Sequence, residues 1–296
     1  MTHIQRILLS AVLILSFSGS SVVQADPVEY KLIHGAGKEQ SITTLADQLS
    51  HSDIILFGEY HNNVVLHQLE LELLQALTAV RPELTLSLEM FERDVQPQLD
   101  AYLAGTVSEQ DFLLAARPWP NYRSDYRPLV EFAKAQALPV LAANIPRPLA
   151  AQLARSGSLD GIAPEQAVYL PQRHSAPPGE YRDRFFSQMN SMRSMRVSSE
   201  QLESYYRAQC LKDDTMAESI VNHLQAHPGR GVLHVQGDFH SRYRLGVAEK
   251  LRQLNPELKV LVIAPVYVPD FKPDTVETAL RHNRDDGDYL LLIRQQ

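Results

Sequence analysis

Asp53-Ile54-Ile55-Leu56-Phe57-Gly58-Glu59-Tyr60-His61 opens with a run of four consecutive apolar residues after Asp53 and ends on polar ones. A strand with apolar side chains at successive positions buries both faces, as strands do inside a parallel sheet covered by helices on either side. The residues around it agree. Val64 to Val80 sets Leu66, Leu69, Leu73, Leu74 and Leu77 at helical spacing, and Pro82 stops the run. Leu84 to Leu88 is a second strand. Val95 to Leu103 is helical and stops at Gly105, and Ser108 with Asp111 three residues on marks another helix start. Tyr122 to Ala137 is an amphipathic helix, Pro139 to Ala143 a third strand, Gly231 to Val235 a fourth and Leu258 to Ile263 a fifth; Tyr289 to Ile293 adds an edge strand. Strands alternating with helices of this length predict an α/β fold, a mostly parallel sheet flanked by helices.

One stretch breaks the alternation. Residues 155 to 200 carry no strand pattern; they hold Pro164, Pro171 and Pro177-Pro178, then Met189, Met192 and Met195 spaced by three. The next helix, Ser199 to His227, would run about 42 Å at 1.5 Å per residue, against about 20 Å for a six-residue strand. Its N-terminal half must therefore project beyond the strands' carboxyl edge. These features predict a helical insertion over about 155–212 forming a roof above that edge, within a single α/β domain over 26–296. The methionine stripe suits either core packing or the soft lining of an apolar pocket.

Residues 1–25 have the pattern of an export signal: Arg6, an apolar run from Ile7 to Phe17, and Val23-Gln24-Ala25 as a small-x-small cleavage site. The expectation is an exported protein of the bacterial periplasm with no integral membrane segment once the signal is removed. No cysteine lies near the cleavage site, so the lipoprotein route is not expected. Cys210 is the single cysteine, which excludes an intramolecular disulfide and all-cysteine metal sites. The net charge of −7 argues against a nucleic-acid binder. There is no Gly-rich phosphate loop, no His-Glu-x-x-His, no Gly-x-Ser-x-Gly and no Cys-x-x-Cys-His.

Ligands of open α/β sheets bind outside the carboxyl ends of the strands. Four strands deliver polar residues there: the first ends in Gly58-Glu59-Tyr60-His61, the second in Glu89, the third in Asn144 and the fourth in Gly237-Asp238-Phe239-His240. The helix opening near Tyr122 brings Trp119, Arg123 and Tyr126, and Asp213 on the long helix is within reach. Two imidazoles and two carboxylates in one cleft suit either a divalent metal, with His61, Glu89 and His240 as ligands, or acid–base catalysis by Glu59, His61, Glu89 and His240. Gly231-Val232-Leu233-His234 also spells Gly-x-x-His, but His234 falls mid-strand and is expected to be a packed side chain. His67 and His282 sit on surface-like patterns and are expected to be structural.

Six segments together resemble the ChaN-like family of bacterial haem-binding uptake proteins, related to Tiki-type metalloproteases and erythromycin-esterase-like hydrolases. They are Leu56 to His61, Leu88 to Arg93, Trp119 to Tyr126, Ala142 to Arg147, Asp213 to Ala217 and Gly237 to Ser241. The resemblance implies haem binding and a role in haem or iron uptake, with tyrosine as an iron ligand and a homodimer, haem-bridged, as the assembly. No motif names the tyrosine. Position offers Tyr181, Tyr205, Tyr206 and His174, all in the insertion or the projecting half of the long helix. The wider superfamily shares two Gly-x-x-His motifs and a carboxylate, here Gly58–His61, Gly237–His240 and Glu89. A hydrolase, peptidase or esterase-like, therefore stands beside the haem binder as the alternative.

Overall fold

The computed structural model describes residues 29–34, 37–191 and 197–295. Residues 1–25, expected above to be an export signal, and Met192 and Met195 lie outside them. Eight strands form one sheet: β1 (Tyr30–His34), β2 (Glu39–Gln40), β3 (Ile54–Glu59), β4 (Leu84–Glu92), β5 (Val140–Asn144), β6 (Gly231–Gly237), β7 (Val260–Val268) and β8 (Tyr289–Arg294). Their spatial order is β2-β1-β8-β7-β3-β6-β4-β5. The six strands from β8 to β5 run parallel, and β1 joins antiparallel to β8, with Tyr30 opposite Ile293.

Helices cover both faces: α1 (Ile42–Leu49), α2 (Val64–Val80), α3 (Gln96–Leu103), α4 (Glu109–Ala116), α5 (Arg127–Ala135), α6 (Arg147–Ser156), α7 (Pro164–Ala167), α8 (Glu180–Ser191), α9 (Ser199–Ala226), α10 (Val247–Leu254) and α11 (Pro273–Asn283). The two-residue period of β3 decides which face each side chain meets. Ile55 and Phe57 pack with Leu66 and Leu73 of α2 and Leu129 of α5. Ile54 and Leu56 pack with Met216 and Ile220 of α9 and Val247 and Leu251 of α10. Both faces are dry, so every residue of β3, β4 and β6 is buried.

Two expectations are corrected. Tyr289–Arg294 is not an edge strand: β1 pairs with it on one side and β7 on the other. Its partner β1 lies some 250 residues earlier in the chain, beyond anything local periodicity reports. Leu84–Leu88 does not end at Glu89: the strand continues to Glu92, with a register shift against β5 between Leu88 and Glu92. Pairing of β4 with β6 does stop at Leu88, opposite Val235.

The exposed edge at β5 is closed by a side chain. Gln96 at the start of α3 donates from Nε2 to the Val140 carbonyl at 2.8 Å and accepts the Ala142 N–H on Oε1 at 2.7 Å. Residues 155–198 hold α7 and α8, and α9 spans 28 residues. Among the described residues no helix is long and apolar enough to cross a membrane.

Candidate functional site

Parallel strands bring their C-terminal residues to one edge. In the register of β3 with β6, Glu59 lies opposite Gly237. Past Glu59 the chain turns, and the His61 ring folds back so that its Nδ1 lies 2.6 Å from Glu59 Oε1. The same oxygen accepts the Tyr126 hydroxyl at 2.7 Å. Tyr126 closes a turn of π-helix, Tyr122–Tyr126, that leads into α5. Glu89, the first residue of β4 beyond its pairing with β6, turns its carboxylate across and takes the Gly237 N–H on Oε2 at 2.7 Å.

After Gly237 the chain makes a short 3-10 turn, Asp238–His240. His240 lies between two carboxylates: Nδ1 is 2.5 Å from Asp213 Oδ1 of α9, and Nε2 is 3.3 Å from Glu89 Oε1. The other Asp213 oxygen accepts the Tyr181 hydroxyl at 2.7 Å.

The two Gly-x-x-His motifs interlock. A Cβ on Gly237 would stand 2.8 Å from His61 Nε2, and one on Gly58 would stand 2.8 Å from Asp238 Oδ1. Each glycine makes room for a residue of the other motif, so the spacing is a packing requirement between neighbouring strands.

The cleft is strongly polarised. Burial pushes Glu59 upward, but hydrogen bonds from His61 and His67 outweigh it and hold the carboxyl down at about 2. Burial likewise opposes charge on Glu89, yet His240 holds it well below the usual carboxylate range. Burial lowers His240, while Glu89 and Asp213 raise it further, to about 10. His61 is raised by its bond to Glu59 against the same opposing burial, and 40% of its side chain remains exposed. His240 thus lies buried between two carboxylates that favour its charged form, and of the two imidazoles His61 is the more exposed.

His67 is corrected from a surface position to the interior. It is buried on α2, with Nδ1 3.1 Å from both Glu59 Oε2 and Glu70 Oε2. The sequence does carry a signal for this pair. Leu66, Leu69, Leu73, Leu74 and Leu77 define the apolar stripe of α2, and His67 and Glu70, three residues apart, are the two polar side chains buried with it.

Two joined cavities open along this edge. The cleft itself, about 630 Å³, is walled by Glu59, His61, Glu89, His240, Phe185 and Met189. Beside it a cavity of about 490 Å³ runs between α6 and α9, past Trp119, Ile145, Ala150, Ala154, Tyr205 and Ala208. Glu89, Trp119, Phe185, Gln209 and Lys212 border both. The other expected residues fall as follows. Asn144 lines the second cavity and donates to the Glu89 carbonyl at 3.0 Å. Tyr205 lines it too. Tyr206 is fully enclosed, its hydroxyl donating to the Pro177 carbonyl, and Tyr181 is buried on Asp213; neither reaches the two cavities. His174 is paired with Asp214 at 2.9 Å, away from the cleft. Arg123 is exposed and lines neither cavity. His234 is the packed histidine its position predicts, with Nδ1 2.8 Å from Ser87 Oγ.

Fold and site together define an α/β protein with an ion-paired Glu/His cleft at the carboxyl edge of its sheet. Residues 45–251 match the family described as haem-binding uptake, Tiki superfamily, ChaN, and the chain belongs to that family. A solved structure of ChaN of Campylobacter jejuni, with cofacial haem binding, resembles it over 90% of this chain and 98% of that one, with a TM-score of 0.69 and 19% identity. A mutant of the erythromycin esterase EreC in its open conformation resembles it over 90% of this chain and 97% of that one, with a TM-score of 0.53 and 12% identity. At these identities the likeness speaks to the fold. No curated protein matches the chain.

Proposed function

We propose that the protein is an exported haem-binding component of haem or iron uptake, acting in the periplasm, with haem held in the cavity between α6 and α9 at the carboxyl edge of the sheet. Family membership supports the ligand. The observation that carries the placement is the character of that cavity's wall. Ala150, Ala151, Ala154 and Ala208 line it with methyl groups, an apolar surface of the kind a porphyrin face requires. Arg147 and Lys212 stand at its border, where two propionates need cations. Of the three tyrosines that position offers, Tyr205 lines this wall, and its phenol is the iron ligand we assign. The insertion acts as the roof: α8 contributes Phe185 to both cavities. A second copy of the chain closing the open side of the haem accounts for a bridged homodimer.

Titration with hemin tests this reading. A saturable Soret shift of high-spin, tyrosinate-like character is expected, together with a rise in sedimentation coefficient on loading. Tyr205→Phe should weaken binding by at least tenfold, whereas Tyr206→Phe should not change it. Absence of a saturable shift in the wild type removes the reading.

A second reading rests on a different observation. His240, locked by Asp213 and aimed at Glu89, with the more exposed His61 paired to Glu59 across Gly237, has the make-up of an acid–base pair, whereas His61, Glu89 and His240, the expected metal ligands, are not among the groups of the described residues whose ligand atoms come within 4.8 Å of one another. The acid–base pair supports a hydrolase. Ester or peptide hydrolysis that is lost in His240→Ala, while haem binding persists, would establish it.

A further inference from the structure

Glu59, His67 and Glu70 meet in the interior; Glu59 borders the cleft, and His67 and Glu70 line neither cavity. All three are buried, and one ligand atom from each lies within 4.8 Å of the others. His67 Nε2 lies 3.2 Å from the His61 carbonyl oxygen. A carbonyl only accepts, so Nε2 carries the proton and Nδ1 is the atom turned to the carboxylates. It stands 3.1 Å from an oxygen of each. The remaining oxygen of Glu70, Oε1, is buried with no hydrogen-bond partner. Among the described residues no lysine or arginine pairs with either carboxylate.

We propose that Glu59, His67 and Glu70 form a binding site for one first-row divalent cation, Zn²⁺ or Mn²⁺, distinct from any metal held by His61, Glu89 and His240. Without a cation, burial opposes a proton on His67 but Glu59 and Glu70 favour it and prevail, and burial with the charge of Glu59 favours one on Glu70; a divalent cation that displaced both protons would meet two carboxylates and a neutral imidazole, a charge of −2 that it cancels. One imidazole with two carboxylates is a donor set that both ions accept. Ligands about 2.0–2.1 Å from a tetrahedral Zn²⁺ stand about 3.3–3.4 Å apart, close to the 3.1 Å separations already present. The bond from His67 Nε2–H to a backbone carbonyl is the outer contact that fixes a metal-binding imidazole in its tautomer. Glu59 is shared. Its Oε2 faces the cation site, while Oε1 holds His61 and Tyr126. A cation here would fix the carboxylate that orients His61.

The competing occupant is protons alone, one on Nδ1 and one held between the carboxyls. Calorimetric titration of the purified protein with ZnCl₂ and with MnCl₂, after chelator treatment, separates the two. One tightly held equivalent of either ion is expected. Glu70→Gln, which keeps the side chain's shape, should weaken it at least tenfold, and His240→Ala should retain it. No stoichiometric uptake by the wild type overturns the proposal, as does binding that survives Glu70→Gln and is lost in His240→Ala. Should a variant fail to fold, anomalous diffraction from wild-type crystals soaked in ZnCl₂ decides. A peak between Glu59, His67 and Glu70 supports the site, and its absence there refutes it.

Discussion

Gly58 and Gly237 begin identical motifs, yet their environments differ in a way that makes alanine unequal at the two positions. At Gly58 the added methyl would meet the Asp238 Cα and the Ile263 carbonyl, both at 3.1 Å, besides Asp238 Oδ1. Backbone in a sheet cannot retreat, and Gly58→Ala should destabilise the protein by about 1–3 kcal/mol. At Gly237 the methyl meets the His61 ring, which is partly exposed and free to swing outward. Gly237→Ala should therefore displace His61 at the cost of its bond to Glu59 and lose less stability than Gly58→Ala, the displacement being read as a shift in the His61 titration by NMR. Urea melts of both variants check the contrast; equal losses would show that the glycines are interchangeable. Residues of this kind were legible in the sequence only in part. Glu59, His61, Glu89 and His240 announced themselves because each directly follows a strand pattern. His67 did not, because it lies on a helix and not at a strand end, beside a run of leucines whose spacing reads as packing alone.

The π-helical turn Tyr122–Tyr126 is an element whose irregularity has a use. Extra-wide turns of this sort favour functional sites because they redirect one side chain without ending the helix. Here the redirected side chain is Tyr126, whose ring packs edge-on against His67 and Trp119 while its hydroxyl reaches Glu59. Tyr126→Phe keeps the ring contacts and removes a hydrogen bond to a buried carboxylate, so a loss of about 2 kcal/mol in a urea melt is expected. A change below about 0.5 kcal/mol would mean that Glu59 finds another donor. The periodicity of Tyr122 to Ala137 predicted a helix and located it, but an added residue in one turn leaves no trace in an apolar pattern. The parallel strands were readable for the opposite reason: burial on both faces writes them as unbroken apolar runs. β1, with Lys31 as its second residue and its partner at the far end of the chain, had no such mark.

For the molecule as a whole, pH stability turns on the groups the core holds uncharged. Burial keeps the His234 ring neutral down to about 4, below its ordinary 6.5. Unfolded, the ring takes up a proton near 6.5, so below that pH the unfolded state binds the additional proton and His234 erodes stability progressively to about pH 4. The loss by then is about 3 kcal/mol. Other groups titrate across the same range, and the comparison that isolates this one is the stability gap between wild type and His234→Asn. That gap should shift by about 3 kcal/mol in the variant's favour from pH 7 to pH 4. A gap independent of pH would show that the ring takes up its proton at the same pH folded as unfolded. The same dry sheet raises a separate question at its β5 border, where backbone donors and acceptors would otherwise face water. Gln96 answers there as a surrogate peptide group, offering one N–H and one C=O in the spacing of a ninth strand. With that border occupied by its own side chain, the sheet presents no template on which a neighbouring molecule could polymerise through β5.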